Sequence, residues 1–354
     1  MRFELVRNLK GNEILAKTLF DGYGRVLLPS GTRLNISYIN RIKQSGFCYI
    51  YIEDKDLEDI KYDRNIENLK QTTLKRLPNM FHNIIDGNRT KIEESLKIIE
   101  ELTSYIVEEG DINTNLYEVI KYDNYTYVHS IDTGIMSIFL AKMLNLEISS
   151  IKEIGISSIL HDIGKIVVPS EIINKKGRLT KEEFEEVKKH PVYGYRILKN
   201  AGIKNSNILA GVIEHHEKVD GTGYPFGVKG GNINQHAKII SLCDVFTAIS
   251  ADRCYRSRFK PNEAYEYILC NVNTMFDRDI VTKFKENFYI YPLGVCVRLS
   301  NGVEGYVVRQ NKSLPDRPVV RVSYNSATGE KIPYHDINLL SAINITIDSI
   351  VGES

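Results

Sequence analysis

No uninterrupted apolar run in the 354 residues approaches the roughly 18 that read as a membrane span, and Met1 to Lys10 mixes charged with apolar residues. A soluble, unexported, cytoplasmic protein with no membrane partner is therefore expected. Net charge is nearly absent too: 46 Lys and Arg against 45 Asp and Glu leave +1. That balance excludes the strongly basic class that wraps a nucleic-acid polymer and leaves any phosphate recognition to a local site. There is no Cys-x-x-Cys pair. The scattered Cys48, Cys243, Cys254, Cys270 and Cys296 suit a reducing compartment better than a disulfide framework, and each reads first as a small buried hydrophobe. Internal repeats and low-complexity runs are missing as well.

What is present is 42% hydrophobic residues, enough for one substantial core and one or two minor ones. Short apolar runs broken by turns, a short helical stretch around Ile36 to Lys43 and the aromatic, β-branched run Phe47 to Ile52 predict a β-rich (α+β) accessory module over 1–60. Apolar residues then recur at helical spacing, as in Ile92, Leu96, Ile99 and Leu102, with Pro78 and Asp86-Gly87-Asn88 expected to interrupt the helices. A helical linker is placed at 61–95 and an all-helical domain at 96–290. Beyond Tyr291-Pro292, Val295 to Leu299, Gly305 to Val308 and Val319 to Val322 read as strands of a small β module over 291–354. The fold class is mainly α, with β-containing modules at both ends.

The chemistry concentrates in the helical part. Five of the eight histidines fall between His129 and His216, and although a lone helix histidine is usually packed or solvated, the cluster is not read that way. His161 and Asp162 end an apolar helix, where an unpaired carboxylate is costly and a bound cation relieves the cost. Lys165 lies four residues after His161 and hence on the same helix face. His215-His216-Glu217 end another helix and lead into Asp220-Gly221-Thr222-Gly223-Tyr224-Pro225, whose glycines permit close backbone approach. His190 precedes Pro191, and Asp244 lies in the apolar run Ile239 to Phe246. Five imidazoles and two carboxylates exceed the needs of one tetrahedral ion and suit two ions, for which nitrogen and oxygen ligands favour iron or manganese over structural zinc.

The paired motifs His161-Asp162-x-Gly164-Lys165 and His215-His216-Glu217-x-x-Asp220-Gly221-x-Gly223-Tyr224-Pro225 resemble those of the HD-GYP family, a bacterial subgroup of the HD phosphohydrolases, over Leu96 to about Tyr291. The resemblance implies an HD-domain core and cleavage of cyclic di-GMP to pGpG and then GMP by water, with no protein nucleophile. It implies metal ligands at His129, His161, Asp162, His190, His215, His216 and Asp244, with Asp162 bridging two divalent transition-metal ions. Asp162 and Lys165 take catalytic roles, and Lys165, Gly221, Tyr224, Arg253 and Arg256 are expected at the substrate. Some members gain a third metal through a glutamate four residues before the first histidine; Tyr125 stands there, so two ions are expected. Thr247 occupies a position where the family often has aspartate.

His335-Asp336 repeats the motif dipeptide inside the β module without its continuation and reads as a surface or turn pair. His82 and His236 have no acidic partner at useful spacing and read as structural, and Lys188-Lys189 as a solvated helix face. The flanking modules are expected to serve regulation, a homodimer or a signalling-protein partner. Two rivals stand beside the enzyme: a degenerate HD-GYP receptor or scaffold without turnover, and a hydrolase of another cyclic dinucleotide.

Overall fold

The computed structural model describes residues 1–21, 24–60, 64–87, 89–108, 126–175, 177–251, 261–311, 314–326 and 328–352. Its amino-terminal elements are β1 (Arg2–Leu5), β2 (Leu19–Phe20), β3 (Val26–Leu28), α1 (Ile36–Gln44) and β4 (Tyr49–Ile52). β1 pairs antiparallel with β4, and β2 with β3. Asn35 caps α1 by accepting the Tyr38 N–H. Side chains alternate across a strand, and β4 uses both faces: Ile50 and Ile52 join Leu15, Leu34, Ile39 and Ile42 in a small core, while Tyr51 turns with Phe3 into the main one.

The segment read as a linker packs into that main core. α2 (Arg64–Ile85) contributes Leu74, Leu77, Phe81 and Ile84, and α3 (Arg89–Glu108) contributes Ile92, Ile99, Leu102 and Ile106. α2 runs unbroken through Pro78, contrary to expectation. The apolar stripe buried on both sides of the proline outweighs a penalty of about 3 kcal/mol, whereas Gly87, at φ +67°, follows the helix end as expected. α4 (Thr126–Met143) is buried on nearly every side. It packs against α2, α3, α5 (Ile148–Leu160) and α10 (Gln235–Ala251), the arrangement expected of helices apolar all round. Between α5 and α10 lie α6 (Ser170–Ile173), α7 (Lys181–Val187), α8 (His190–Asn200) and α9 (Ser206–Glu214); α11 (Pro261–Cys270) and α12 (Arg278–Asn287) follow.

The carboxy-terminal part is a five-stranded antiparallel sheet of order β8-β7-β6-β5-β9, built from β5 (Cys296–Leu299), β6 (Val303–Arg309), β7 (Val319–Asn325), β8 (Glu330–Asn338) and β9 (Ile347–Ile350). The two edge strands escape the sequence reading because β8 is mostly exposed and polar and β9 is short. The sheet joins the amino-terminal module directly: the Phe3 N–H donates to the Gly294 carbonyl at 2.9 Å, and the Arg321 guanidinium holds Asp59 and Asp336, each at 2.9 Å. His335-Asp336 lies exposed on β8, a surface pair as expected. Cys243, Cys270 and Cys296 are free thiols, of which Cys243 alone is buried and Cys270 is exposed; Cys48 is disulfide-bonded, against the reading of its spacing. Among the described residues no helix is long and apolar enough to cross a membrane.

Candidate metal centre

Three buried helix ends and two further helices meet at the site. α5 stops at Leu160; His161 caps it, and the backbone tightens into a 3-10 turn over Ile163–Val167. Lys165 is therefore not on an α-helical face shared with His161, as the sequence spacing suggests. Its Nζ turns back to donate to Asp162 Oδ2 at 2.6 Å. Gly164 lets this turn lie on α8: a Cβ there would sit 2.0 Å from the His190 carbonyl oxygen and 2.4 Å from the Gly194 nitrogen. The contact brings His190, at the start of α8 with Pro191 behind it, to Asp162. His215 and His216 follow the end of α9, and α4 and α10 supply His129 and Asp244.

The ligand atoms of three triads, His129/His161/Asp162, His161/His215/Asp244 and His190/His215/His216, lie within 4.8 Å of one another in each. Together these triads contain all seven residues that the resemblance names. Asp162 spans the cluster, with Oδ1 3.3 Å from His190 Nε2 and Oδ2 3.4 Å from His161 Nε2 and 3.9 Å from His129 Nε2. Asp244 faces the same space, its Oδ1 2.9 Å from His129 Nε2 and its Oδ2 3.9 Å from His216 Nδ1.

Backbone carbonyls fix the imidazoles. The Nδ1–H groups of His161, His190 and His215 donate to Ser158, Val187 and Val212 carbonyls at 2.6, 2.8 and 2.7 Å, which leaves each Nε2 turned inward. Thr247, buried on α10, does the same for His129. Its hydroxyl donates to the Cys243 carbonyl at 2.8 Å, so its oxygen accepts from His129 Nδ1 at 3.3 Å and from the Thr133 hydroxyl at 2.9 Å. The threonine at a position where the family often has aspartate thus orients a ring of the centre.

Burial pushes the His190 imidazole below its usual range and His215 well below it, so both are neutral near pH 7. Their Nε2 atoms nevertheless face each other at 3.3 Å, lone pair to lone pair. Burial likewise lowers His216 to about 3. Burial also opposes charge on His161, but Asp162 and Asp244 raise it to about 10. Asp162 and Asp244 would themselves be driven up by burial, yet stay well below the carboxylate range, held by His161 and Lys165 for Asp162 and by His129 and His161 for Asp244. His161 Nε2 and Asp162 Oδ1 are buried without a hydrogen bond. Opposed lone pairs, buried polar atoms without a hydrogen bond and two enclosed carboxylates are relieved by cations, so the donor set fits divalent metal ions.

The loop beside the centre is tied down by Glu217, a residue the sequence reading gave no role. Its buried carboxylate accepts the N–H groups of Phe226 at 2.7 Å, Gly227 at 3.1 Å and Val228 at 3.1 Å. An acid following two histidines was the available signal. Gly223 passes so close to the chain that a Cβ would meet Glu217 Cα at 2.5 Å. This seats Tyr224 with its ring stacked on His216, centroids 4.7 Å apart, and burial raises its hydroxyl above the usual tyrosine range. Gly221 takes φ +82° and spends its N–H on the Lys218 carbonyl at 2.8 Å. His82 is exposed, while buried His236 has an acidic neighbour that sequence spacing hid, Glu153 at 3.8 Å. The Lys188 and Lys189 ammoniums pair with Glu185 and Glu186. Arg253, Arg256 and Tyr125 lie outside the described residues. A cavity of about 290 Å³ opens next to Asp162 and Lys165.

A helical domain that gathers His161-Asp162 and further histidines at buried helix ends defines the HD class, and a family profile described as HD domain matches residues 130–280. A cyclic di-GMP phosphodiesterase of Pseudomonas aeruginosa is 33% identical over 273 residues, 77% of this chain and 65% of that protein. A 3'3'-cGAMP-specific phosphodiesterase of Vibrio cholerae is 34% identical over 169 residues, 48% of this chain and 36% of that protein. The chain thus spans less than two thirds of the length of either relative. The solved structure of an HDG"Y"P protein from Bdellovibrio bacteriovorus shares the fold, with TM-score 0.54 and 16% identity over 79% of this chain and 97% of that one. Residues 130–280 thus match the HD domain, and the chain is similar to the HD-GYP proteins within that class.

Proposed function

We propose that this protein is a metal-dependent phosphodiesterase that hydrolyses cyclic di-GMP to pGpG and then GMP in the cytoplasm. The observation that carries the reading is the pair of neutral, backbone-locked imidazoles, His190 and His215, whose Nε2 lone pairs oppose each other at 3.3 Å beside two buried carboxylates. Such an arrangement is favourable with cations and costly without them. His129, His161, Asp162, His190, His215, His216 and Asp244 would hold two ions, iron or manganese, with Asp162 shared. When bound, such ions supply positive charge and lower the pKa of a water.

The chain's own groups supply the remainder. Lys165 Nζ, one hydrogen bond from Asp162 and partly exposed, reaches a phosphate oxygen and neutralises charge developing there. Arg253 and Arg256 are assigned to phosphate as well, and Gly221 and Tyr224 to the substrate rim. Because burial holds the Tyr224 hydroxyl protonated, it serves as a donor. In this reading residues 96–290 carry the reaction, and the modules at 1–60 and 291–354 act in dimerisation or in contact with a signalling partner. The Vibrio cholerae relative named for 3'3'-cGAMP supports the hybrid dinucleotide as a second substrate.

The test is hydrolysis of cyclic di-GMP and 3'3'-cGAMP by protein stripped of metal and reloaded anaerobically with iron or manganese, alongside metal analysis. Metal-dependent turnover with about two ions per chain is expected. Tight nucleotide binding with no turnover under any loading would establish a receptor instead.

A further inference from the structure

α2 touches the framework of the centre through a contact that apolar packing does not account for. The Lys70 ammonium pairs with Asp132 Oδ1 on α4, and the two side chains are only 7% and 2% exposed. Desolvating both charges offsets most of their attraction, and two apolar side chains of similar size would hold the helices together at least as firmly. What the ion pair adds is a defined partner. Apolar faces tolerate a helix turned by several degrees, whereas a buried ammonium has to meet its carboxylate.

The place of Asp132 gives that restraint a consequence. It follows His129 by three residues and so lies about 60° round α4 from it. Thr133, four residues after His129, shares the face of the imidazole, and its hydroxyl meets that of Thr247 on α10 at 2.9 Å. α4 is thus held by α10 on one flank and by α2 on another. Side-chain tips lie about 5–6 Å from a helix axis, so a rotation of about 10° carries the imidazole about 1 Å. Its Nε2 is only 2.9 Å from Asp244 Oδ1, and a shift of that size takes it out of the cluster.

We propose that Lys70 and Asp132 are positioning residues of the metal centre: their buried ion pair sets the rotation of α4 and with it the place of the His129 imidazole. The inference rests on His129 as a metal ligand. It extends the working parts of the centre beyond the matched residues 130–280 into α2, in the segment read from the sequence as a linker.

Chelator competition for Mn²⁺ and urea midpoints of the metal-free full chain test this. Lys70→Met/Asp132→Val replaces the pair by apolar side chains and is expected to keep or exceed the parental midpoint while binding Mn²⁺ about 10- to 100-fold more weakly. Lys70→Arg keeps the charge and should bind Mn²⁺ as the parent does. Leu102→Ala, a cavity at a fully buried position on α3, should lower the midpoint and leave Mn²⁺ affinity near the parental value. Parental affinity in the double variant, or an equal loss in Lys70→Arg or Leu102→Ala, would overturn the proposal. If the double variant does not fold, Lys70→Gln decides, because its amide is one bond shorter than the ammonium's reach: weaker Mn²⁺ binding supports the role and parental binding overturns it. A parent that binds no Mn²⁺ removes the metal reading alone. The NMR signals of the His129 ring in metal-free protein, assigned with His129→Gln, then decide: displacement in the double variant but not in Leu102→Ala supports the positioning role, and parental signals in both overturn it.

Discussion

Adding a single methyl group at Gly164 strikes the joint on which the centre depends. The new Cβ would lie 2.0 Å from the His190 carbonyl oxygen and 2.4 Å from the Gly194 nitrogen, both backbone atoms that no rotamer change can move. Since such contacts essentially never fall below 3.0 Å, the 3-10 turn and α8 must separate by about 1 Å. That shift moves His190 away from Asp162, whose oxygen lies 3.3 Å from its Nε2. Overpacking of this kind costs about 1–3 kcal/mol, and an error of about 1 Å in a reacting constellation costs on the order of 10²-fold in rate. Gly164→Ala is therefore expected to lower the urea midpoint of the metal-free protein, weaken metal retention and reduce turnover about 100-fold. Gly194→Ala is the comparison, because its Cβ would meet a side-chain atom, Val212 Cγ1, at 3.0 Å, and the loss should be smaller. Parental midpoint and metal content in Gly164→Ala would show that the contact between the 3-10 turn and α8 does not position His190.

Thr247→Val removes the acceptor of His129 Nδ1–H and frees the ring to turn; metal affinity, measured by chelator competition, should fall about 10- to 100-fold. Glu217→Gln keeps the shape but loses the charged acceptor of three backbone N–H groups, so hydrogen exchange at 226–228 should accelerate, and exchange at the parental rate would remove Glu217 as the loop's anchor. The metal-free protein should lose stability on both sides of about pH 6.5. Below it, His216, lowered to about 3 by burial, stays neutral while the unfolded chain takes up a proton, so stability falls from about 6.5 towards 3. Above it, His161 keeps its proton up to about 10 while the unfolded chain has released one, so the stabilisation present below 6.5 fades as pH rises to that value. Urea titrations across this range check both limbs, and a profile flat between them would contradict the charge states.

The seven converging side chains are legible in the sequence because imidazoles and carboxylates beside apolar runs are expensive to bury alone, so their clustering points to one shared solution. What holds them is harder to see. The clash that demands Gly164 involves a backbone segment beginning 26 residues later, at His190, and nothing local to the glycine announces it. Thr247 reads as a departure from a pattern until the fold brings His129 to its hydroxyl, and the acidic neighbour of His236 comes from α5, far away in the chain. Local rules also mislead where tertiary packing wins. Pro78 sits inside a helix because the buried face continues through it, and Lys165 leaves the α-helical register because the chain tightens after His161.

Buried histidines and aspartates that hold ions for phosphodiester hydrolysis make metal content and turnover depend on the same side chains. Removing the shared carboxylate tests that dependence most directly. Metal content and cyclic di-GMP turnover are measured on the anaerobically reloaded parent and on Asp162→Ala. The parent should retain about two ions and hydrolyse the dinucleotide, and the variant should lose both properties together. Full metal content in Asp162→Ala would show that Asp162 is not a shared ligand, and a metal-loaded parent that binds cyclic di-GMP without cleaving it would show that the cluster does not serve hydrolysis.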